Sequence, residues 1–144
     1  MKKSFLLLTL LTGFAFANQI AESLFDAKCN ICHVKTRPSD MSKLVAPPIM
    51  GVMRHVKMTY PTKDKAVEFI ADYVLNPSKD KAVCMPGKIQ KFGLMPSQKG
   101  AVTKEELEKI SSWLYDNFPP KGFKGMGHGH KMGRGMRQGM MGRQ

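Results

Sequence analysis

The five residues Cys29-Asn30-Ile31-Cys32-His33 constrain this chain more than any other feature of its sequence. Cysteines at positions i and i+3 lie on the same side of a helical turn, and the histidine that follows directs its imidazole along the same edge. This spacing is the haem c attachment signature, in which two thioether bonds hold the porphyrin and the histidine ligates the iron. The alternatives are a thiol redox pair, a zinc site and a plain disulfide.

The rest of the sequence favours haem attachment over these alternatives. A redox pair does not require His33, and a disulfide would leave it without a role. A zinc site would need further cysteine or histidine ligands, yet only Cys84 and His55 remain before the C-terminal tail. We therefore expect one haem c, bound covalently through Cys29 and Cys32, with His33 as the proximal iron ligand.

Residues 1–17 have the composition of a secretory signal. Lys2 and Lys3 precede an almost unbroken apolar stretch, and Ala15 and Ala17 supply the small residues that a signal peptidase recognises. We expect cleavage after Ala17, export to a periplasm and no membrane span in the mature chain. An uncleaved anchor is the alternative, although no apolar run reaches the roughly 18 to 20 residues that span a bilayer.

A second change in composition separates a folding domain at residues 18–120 from a basic tail at residues 121–144. The tail has six Lys and Arg, no acidic residue and abundant Gly, so it cannot bury enough surface to offset its ordering entropy. We expect it to be disordered. We expect it to act as a basic tether that docks on a partner or on anionic lipid, with copper binding by its soft and borderline metal ligands as the alternative. These ligands are Met126, His128, His130, Met132 and Met136.

Apolar periodicity predicts three helices in the folding domain. The first covers residues 21–29, and the second covers residues 63–75 with Thr62 as its N-cap. The third begins after Thr103, which forms a capping box with Glu106, and ends before two prolines. The apolar positions are Ile20, Leu24 and Phe25 in the first helix, Val67, Ile70 and Val74 in the second, and Leu107, Ile110 and Leu114 in the third. No alternating run argues for a strand, so we expect an all-α fold with long loops. Three short helices make a thin core, which a haem would fill.

With the motif and the helices in this order, the sequence resembles the class I c-type cytochromes from Asn18 to Phe118. The resemblance implies the small all-α cytochrome c fold, in which the N- and C-terminal helices pack around one covalently attached haem. It also implies a distal methionine ligand in a Met-Pro dipeptide shortly before the last helix. Met95, eight residues before Thr103, fits that position, and Met85 is the alternative.

The same resemblance implies further roles around the haem. The segment 46–51 is similar to the family's Gly-Pro-x-Leu-x-Gly, with alanine in place of the first glycine, so the carbonyl of Pro47 would accept the Nδ1 proton of His33. Phe25 and Trp113 stand where the family packs an aromatic of the first helix against the last. Candidates for the haem propionates are Arg54, His55, Lys57 and Tyr60, and the sequence does not choose among them.

A His/Met pair fills both axial positions of the iron, so the resemblance implies a one-electron carrier and not an enzyme. Lysines near the motifs would steer redox partner proteins with acidic docking surfaces, whereas nucleic acid is not expected as the partner of an exported protein. The alternative function is a haem-based ligand sensor or a haem-bearing subunit of a larger oxidoreductase. These lysines are Lys28, Lys35, Lys88, Lys91 and Lys99.

Cys84 is the odd cysteine of an exported chain. We expect a small buried hydrophobe beside the haem and a monomeric protein. The alternative is a disulfide dimer through Cys84.

Overall fold

A computed structural model describes residues 4–125 of the chain, with side chains from residue 16 onward. Within this range the chain forms five α-helices, a short 3-10 helix and no β-strand beyond one isolated bridge, so the predicted all-α class is confirmed. The predicted copper ligands at residues 126–144 lie outside the described range. The elements are α1 (Ser4–Lys28), the 3-10 helix (Met41–Lys43), α2 (Ile49–Thr59), α3 (Lys63–Leu75), α4 (Pro86–Phe92) and α5 (Lys104–Asn117).

The core of the protein lies around α5, which packs against α1, α2 and α3. Phe25 of α1 is fully buried, and the centroid of its ring lies 5.5 Å from that of Trp113 on α5. The rings of Trp113 and Phe118 pack edge to face, with their centroids 5.4 Å apart. The aromatic contact between the first and last helices, which the resemblance implied, is therefore present. The buried apolar face of α5 consists of Leu107, Ile110, Trp113 and Leu114.

The capping box predicted at the start of α5 is confirmed. The backbone N–H of Glu106 donates to Oγ1 of Thr103 at 3.2 Å, and the N–H of Thr103 donates to Oε2 of Glu106 at 2.9 Å. Two of the amide groups that a helix start leaves without helical partners are thereby satisfied. At the start of α3, Thr62 occupies the N-cap position as predicted, but its side chain makes no capping hydrogen bond.

The first turn of α3 is joined to the last turn of α5 by polar contacts. Lys63 forms an ion pair with Asp116, and the hydroxyl of Tyr115 donates to the carbonyl of Pro61. Between these ends, α3 buries Ala66, Ile70 and Ala71. Small residues on the buried face allow close approach of the two backbones, which makes α3 and α5 the most extensive helix pair of the fold.

The first helix is longer than the periodicity predicts. It begins at Ser4 and includes most of the expected signal segment, because that segment contains good helix formers and no proline. Its buried face runs through Ala21 and Phe25, whereas Ile20, which the periodicity placed on the same face as Leu24 and Phe25, is 53% exposed. No helix in residues 4–125 has the length and apolar character needed to cross a membrane.

Two helices, α2 and α4, were not predicted, because proline and glycine near their ends resemble loop sequence. In α2 the prolines precede the first turn, where a proline costs no helical hydrogen bond, and the buried side chains Ile49, Met53 and Val56 follow at helical spacing. In α4, Pro86 occupies the first turn and Gly93 follows the last residue with a φ of 76°, a conformation that glycine adopts readily.

The two N-cap threonines provide a matched test of the capping box. We expect Thr103→Ala to lower the free energy of unfolding by about 1 kcal/mol, because it removes a capping hydrogen bond. Thr62→Ala should cost clearly less, since no such bond is lost. Chemical denaturation of both variants measures the difference, and equal costs would contradict the assignment of the α5 cap.

Candidate functional site

A mostly apolar cavity of about 280 Å³ lies inside the helical fold, close to the lower end of the roughly 300 to 1,000 Å³ of ligand pockets. Side chains from all five α-helices contribute to its wall. Ile31 and Val45 belong to the wall and are 84% and 64% exposed, so the cavity opens to solvent beside them. Its most deeply buried wall residues include Met53, Val56, Ile70, Leu107, Ile110 and Leu114.

The residues of the Cys-x-x-Cys-His motif form a turn directly after α1. The N–H of Cys29 donates to Phe25 O at 2.8 Å, and the N–H groups of Cys32 and His33 donate to Cys29 O at 3.1 and 2.9 Å. This turn brings Cys29, Cys32 and His33 to the wall of the same cavity. Cys29 is half-buried, and Cys32 lies at the exposed edge.

The imidazole of His33 is oriented by a backbone carbonyl. Nδ1 of His33 lies 2.8 Å from the carbonyl oxygen of Pro47, in the segment that leads into α2. A carbonyl only accepts hydrogen bonds, so Nδ1 carries the proton and the lone pair of the neutral ring is on Nε2. Burial lowers the pKa of His33, and the bond to Pro47 opposes this shift in part. The neutral ring that results is the form that binds metals.

The first thiol of the motif lacks the lowered pKa of a redox-pair nucleophile. Both cysteines are free, and burial, aided by the neighbouring Cys32, raises the pKa of Cys29 to about 11, while Lys28 lowers it only in part. A nucleophilic thiol of a redox pair has a lowered pKa. This environment argues against Cys29 as the attacking thiol of a redox pair.

A structural zinc site also lacks ligands in the part of the chain that the structure describes. Between residues 4 and 125 no three His, Cys, Asp or Glu side chains form a group that could hold a metal ion. A structural zinc ion requires four such ligands in nearly every known case.

The two candidate methionines are in different surroundings. Met95 is half-buried in the cavity wall, whereas Met85 is the N-cap residue of α4, is 54% exposed and lies outside the wall. The loop that carries Met95 is held to the end of α3, because Ser97 Oγ donates to Leu75 O at 2.6 Å and the N–H of Gln98 donates to Val74 O at 3.0 Å. Of these two candidates, Met95 is thus the one that lines the cavity.

Cys84 is the third cysteine of the cavity wall. It is half-buried, and burial raises the pKa of its thiol, an effect that the nearby Lys88 opposes. An apolar environment of this kind suits the expected small hydrophobe beside the cofactor.

The four propionate candidates from the sequence do not line the cavity. Lys57, for example, places its Nζ over the ring of Tyr115 at 4.6 Å, and burial lowers its pKa. The nitrogen-bearing side chains that do line it, apart from His33, are Lys28, Lys88 and Gln98. Sequence reasoning missed Gln98 and gave Lys88 only a surface role, because the loop after α3 and the face of α4 could not be oriented without the fold.

Comparison with known proteins places the chain in a family without adding a function. A protein of Aquifex aeolicus (strain VF5), described as an uncharacterized protein, is 33% identical over 108 residues, which are 66% of this chain and 71% of the relative. This chain belongs to the same family as that protein. No family model matches the chain, and no solved structure matches it.

Met95 and Met85 form a matched pair for testing the distal ligand that the sequence predicts. In protein produced with its haem, we expect Met95→Ala to abolish the weak far-red iron–sulfur absorption band and to let the ferrous protein bind CO, because the thioether is lost. Met85→Ala should retain the wild-type spectra. Loss of the band in Met85→Ala alone would overturn the assignment of Met95.

Proposed function

We propose that this chain is an exported monohaem cytochrome of the class I type, which carries single electrons between redox partner proteins. The observation that carries the proposal is the meeting, at one apolar cavity, of the three motif residues with a methionine from a distant part of the sequence. These are Cys29, Cys32, His33 and Met95.

The residues of the cavity fit a haem c. Two free thiols at its edge can form the thioether bonds, and His33 presents a neutral imidazole whose Nδ1 is already engaged by Pro47. Helices on several sides supply an apolar wall, as a porphyrin requires. The contact between Phe25 and Trp113 supports the finer fold assignment, since it joins the N- and C-terminal helices as in the class I cytochromes.

The chain itself would set the properties of the redox centre. A bound haem c supplies a one-electron Fe(III)/Fe(II) couple. The carbonyl of Pro47 holds the ring of His33 and raises its basicity, while the soft thioether of Met95 favours the reduced state. The apolar wall excludes water and disfavours the more highly charged oxidised state. His33 and Met95 would together hold the iron, and one-electron transfer is the chemistry that the group would then supply.

The open side of the cavity supports exchange of electrons with partner proteins. Ile31 and Val45 form an exposed apolar rim beside the motif, and the wall adds Lys28 and Lys88. An apolar contact with lysines near it suits brief docking of an acidic partner, because long-range attraction speeds encounter without making the complex permanent. The signal segment at residues 1–17 would direct this activity to the periplasm.

Cysteine substitutions test haem attachment directly. In a host that attaches haem c, we expect wild-type protein to retain haem on a denaturing gel. Cys29→Ser and Cys32→Ser should each shift the pyridine haemochrome band, because one thioether bond is lost, and the double variant should release its haem on denaturation. Cys84→Ser is the control and should behave as wild type. Wild-type protein without covalent haem would refute the proposal.

Copper binding by the tail is a second candidate function, and a specific pattern favours it. Met126, His128, His130 and Met132 occur at every second position, separated by Gly127, Gly129 and Lys131. Thioethers are soft ligands that suit Cu(I), and imidazoles suit Cu(II). An exported protein could then hold copper at its tail independently of the haem.

Competition titrations with Cu(I) and Cu(II) chelators test this function on the full-length protein. The double substitution His128→Asn and His130→Asn should abolish high-affinity Cu(II) binding, because it removes both imidazoles. Leucine at Met126 and Met132 should weaken Cu(I) binding instead. Glutamine at Arg134 and Arg137 is the control for charge. The site would be refuted if the arginine substitutions lowered copper affinity and the histidine and methionine substitutions did not.

A further inference from the structure

The wall of the cavity contains few positive charges for a group that carries two carboxylates. A haem has two propionates, and a carboxylate beside an apolar wall requires a cation or hydrogen-bond donors to offset its desolvation. Of the Lys and Arg side chains in residues 16–125, those that line the cavity are Lys28 and Lys88, with the amide of Gln98 as a further donor.

Two of these three groups already have partners in the structure. Nζ of Lys28 donates to the carbonyl of Ala101 at 2.8 Å, and Nε2 of Gln98 donates to the carbonyl of Pro96 at 2.9 Å. Lys28 also directly precedes Cys29, which would bond the vinyl edge of the porphyrin. In a haem the propionates lie on the edge opposite the vinyl groups. Lys28 is therefore poorly placed to meet them.

Lys88 has a different environment. It lies in the first turn of α4, is half-buried, and its Nζ is 5.9 Å from the centroid of the Phe92 ring. None of the ion pairs within the described residues involves it. A lysine of the wall without a carboxylate partner in the protein can bind an anion in the cavity.

We propose that Lys88 binds a propionate carboxylate of the haem and thereby raises the reduction potential. This inference rests on the proposed function. A cation beside the propionate compensates a negative charge near the iron, and that negative charge would otherwise stabilise the ferric state. The role belongs to α4 and not to the stretch from Arg54 to Tyr60, because the four candidates of that stretch lie outside the cavity wall.

Lys91 provides the matched control for the experiment. It lies on the same helix, and its Nζ is 5.0 Å from the centroid of the same Phe92 ring, but it is exposed and does not line the cavity. Lys88→Gln and Lys91→Gln therefore remove the same charge from neighbouring positions. Lys88→Arg keeps the charge and tests rescue.

The measurements are the midpoint potential at low and high salt and the propionate bands of the resonance Raman spectrum, taken on haem-loaded protein. We expect Lys88→Gln to lower the midpoint potential more than Lys91→Gln does, and most of this decrease should persist at high salt. Lys88→Gln should also shift the propionate bands. Lys88→Arg should restore both the midpoint potential and the propionate bands of the wild-type protein. Salt screens an exposed charge much more than a contact inside the wall.

The outcomes separate this inference from the proposed function. If the wild-type chain acquires no covalent haem, both proposals fail. If haem is attached but Lys88→Gln and Lys91→Gln give equal shifts that vanish at high salt, only the role of Lys88 is overturned. Unchanged propionate bands in Lys88→Gln would likewise overturn it.

Discussion

The buried face of α5 is the surface on which the rest of the structure depends. Its side chains pack against Phe25 on one side and against α3 on another, and Leu107, Ile110 and Leu114 also line the cavity. The same helix therefore closes the core and forms part of the candidate site. A chain of this size has little apolar surface to spare, so a site at the centre of the fold must use residues that also stabilise it.

The regular parts of this arrangement could be predicted because their causes are local. The bounds of α3 follow from helical spacing of apolar residues, and the start of α5 follows from a Thr103–Glu106 pair three residues apart. Ile20 was misplaced because apolar character alone does not tell which side of a helix meets the core. Helices α2 and α4 were missed because proline acts as a breaker inside a helix and as a good first residue at its start.

The candidate site divides in the same way between local and distant contacts. Cys29, Cys32 and His33 are neighbours in the chain, so their spacing alone indicates their chemistry. The bond from His33 to Pro47 spans 14 residues and could be expected only through resemblance to a known family. The place of Lys88 at the wall depends on how α4 docks, which is a tertiary property with no counterpart in the spacing of residues.

In the proposed haem centre, the two ligands would be held by separate parts of the fold, which favours one geometry in both redox states. On the proximal side, His33 follows the end of α1 by five residues and is tied to the segment before α2 by a single short hydrogen bond. On the distal side, Met95 is carried by a loop that Ser97 and Gln98 fasten to the end of α3. His33 is thus held next to α1 and α2, and the loop of Met95 is held to the end of α3, so movement of either residue would break hydrogen bonds to backbone carbonyls. A proposed centre held in this way would change little when an electron arrives, which is the condition for rapid transfer.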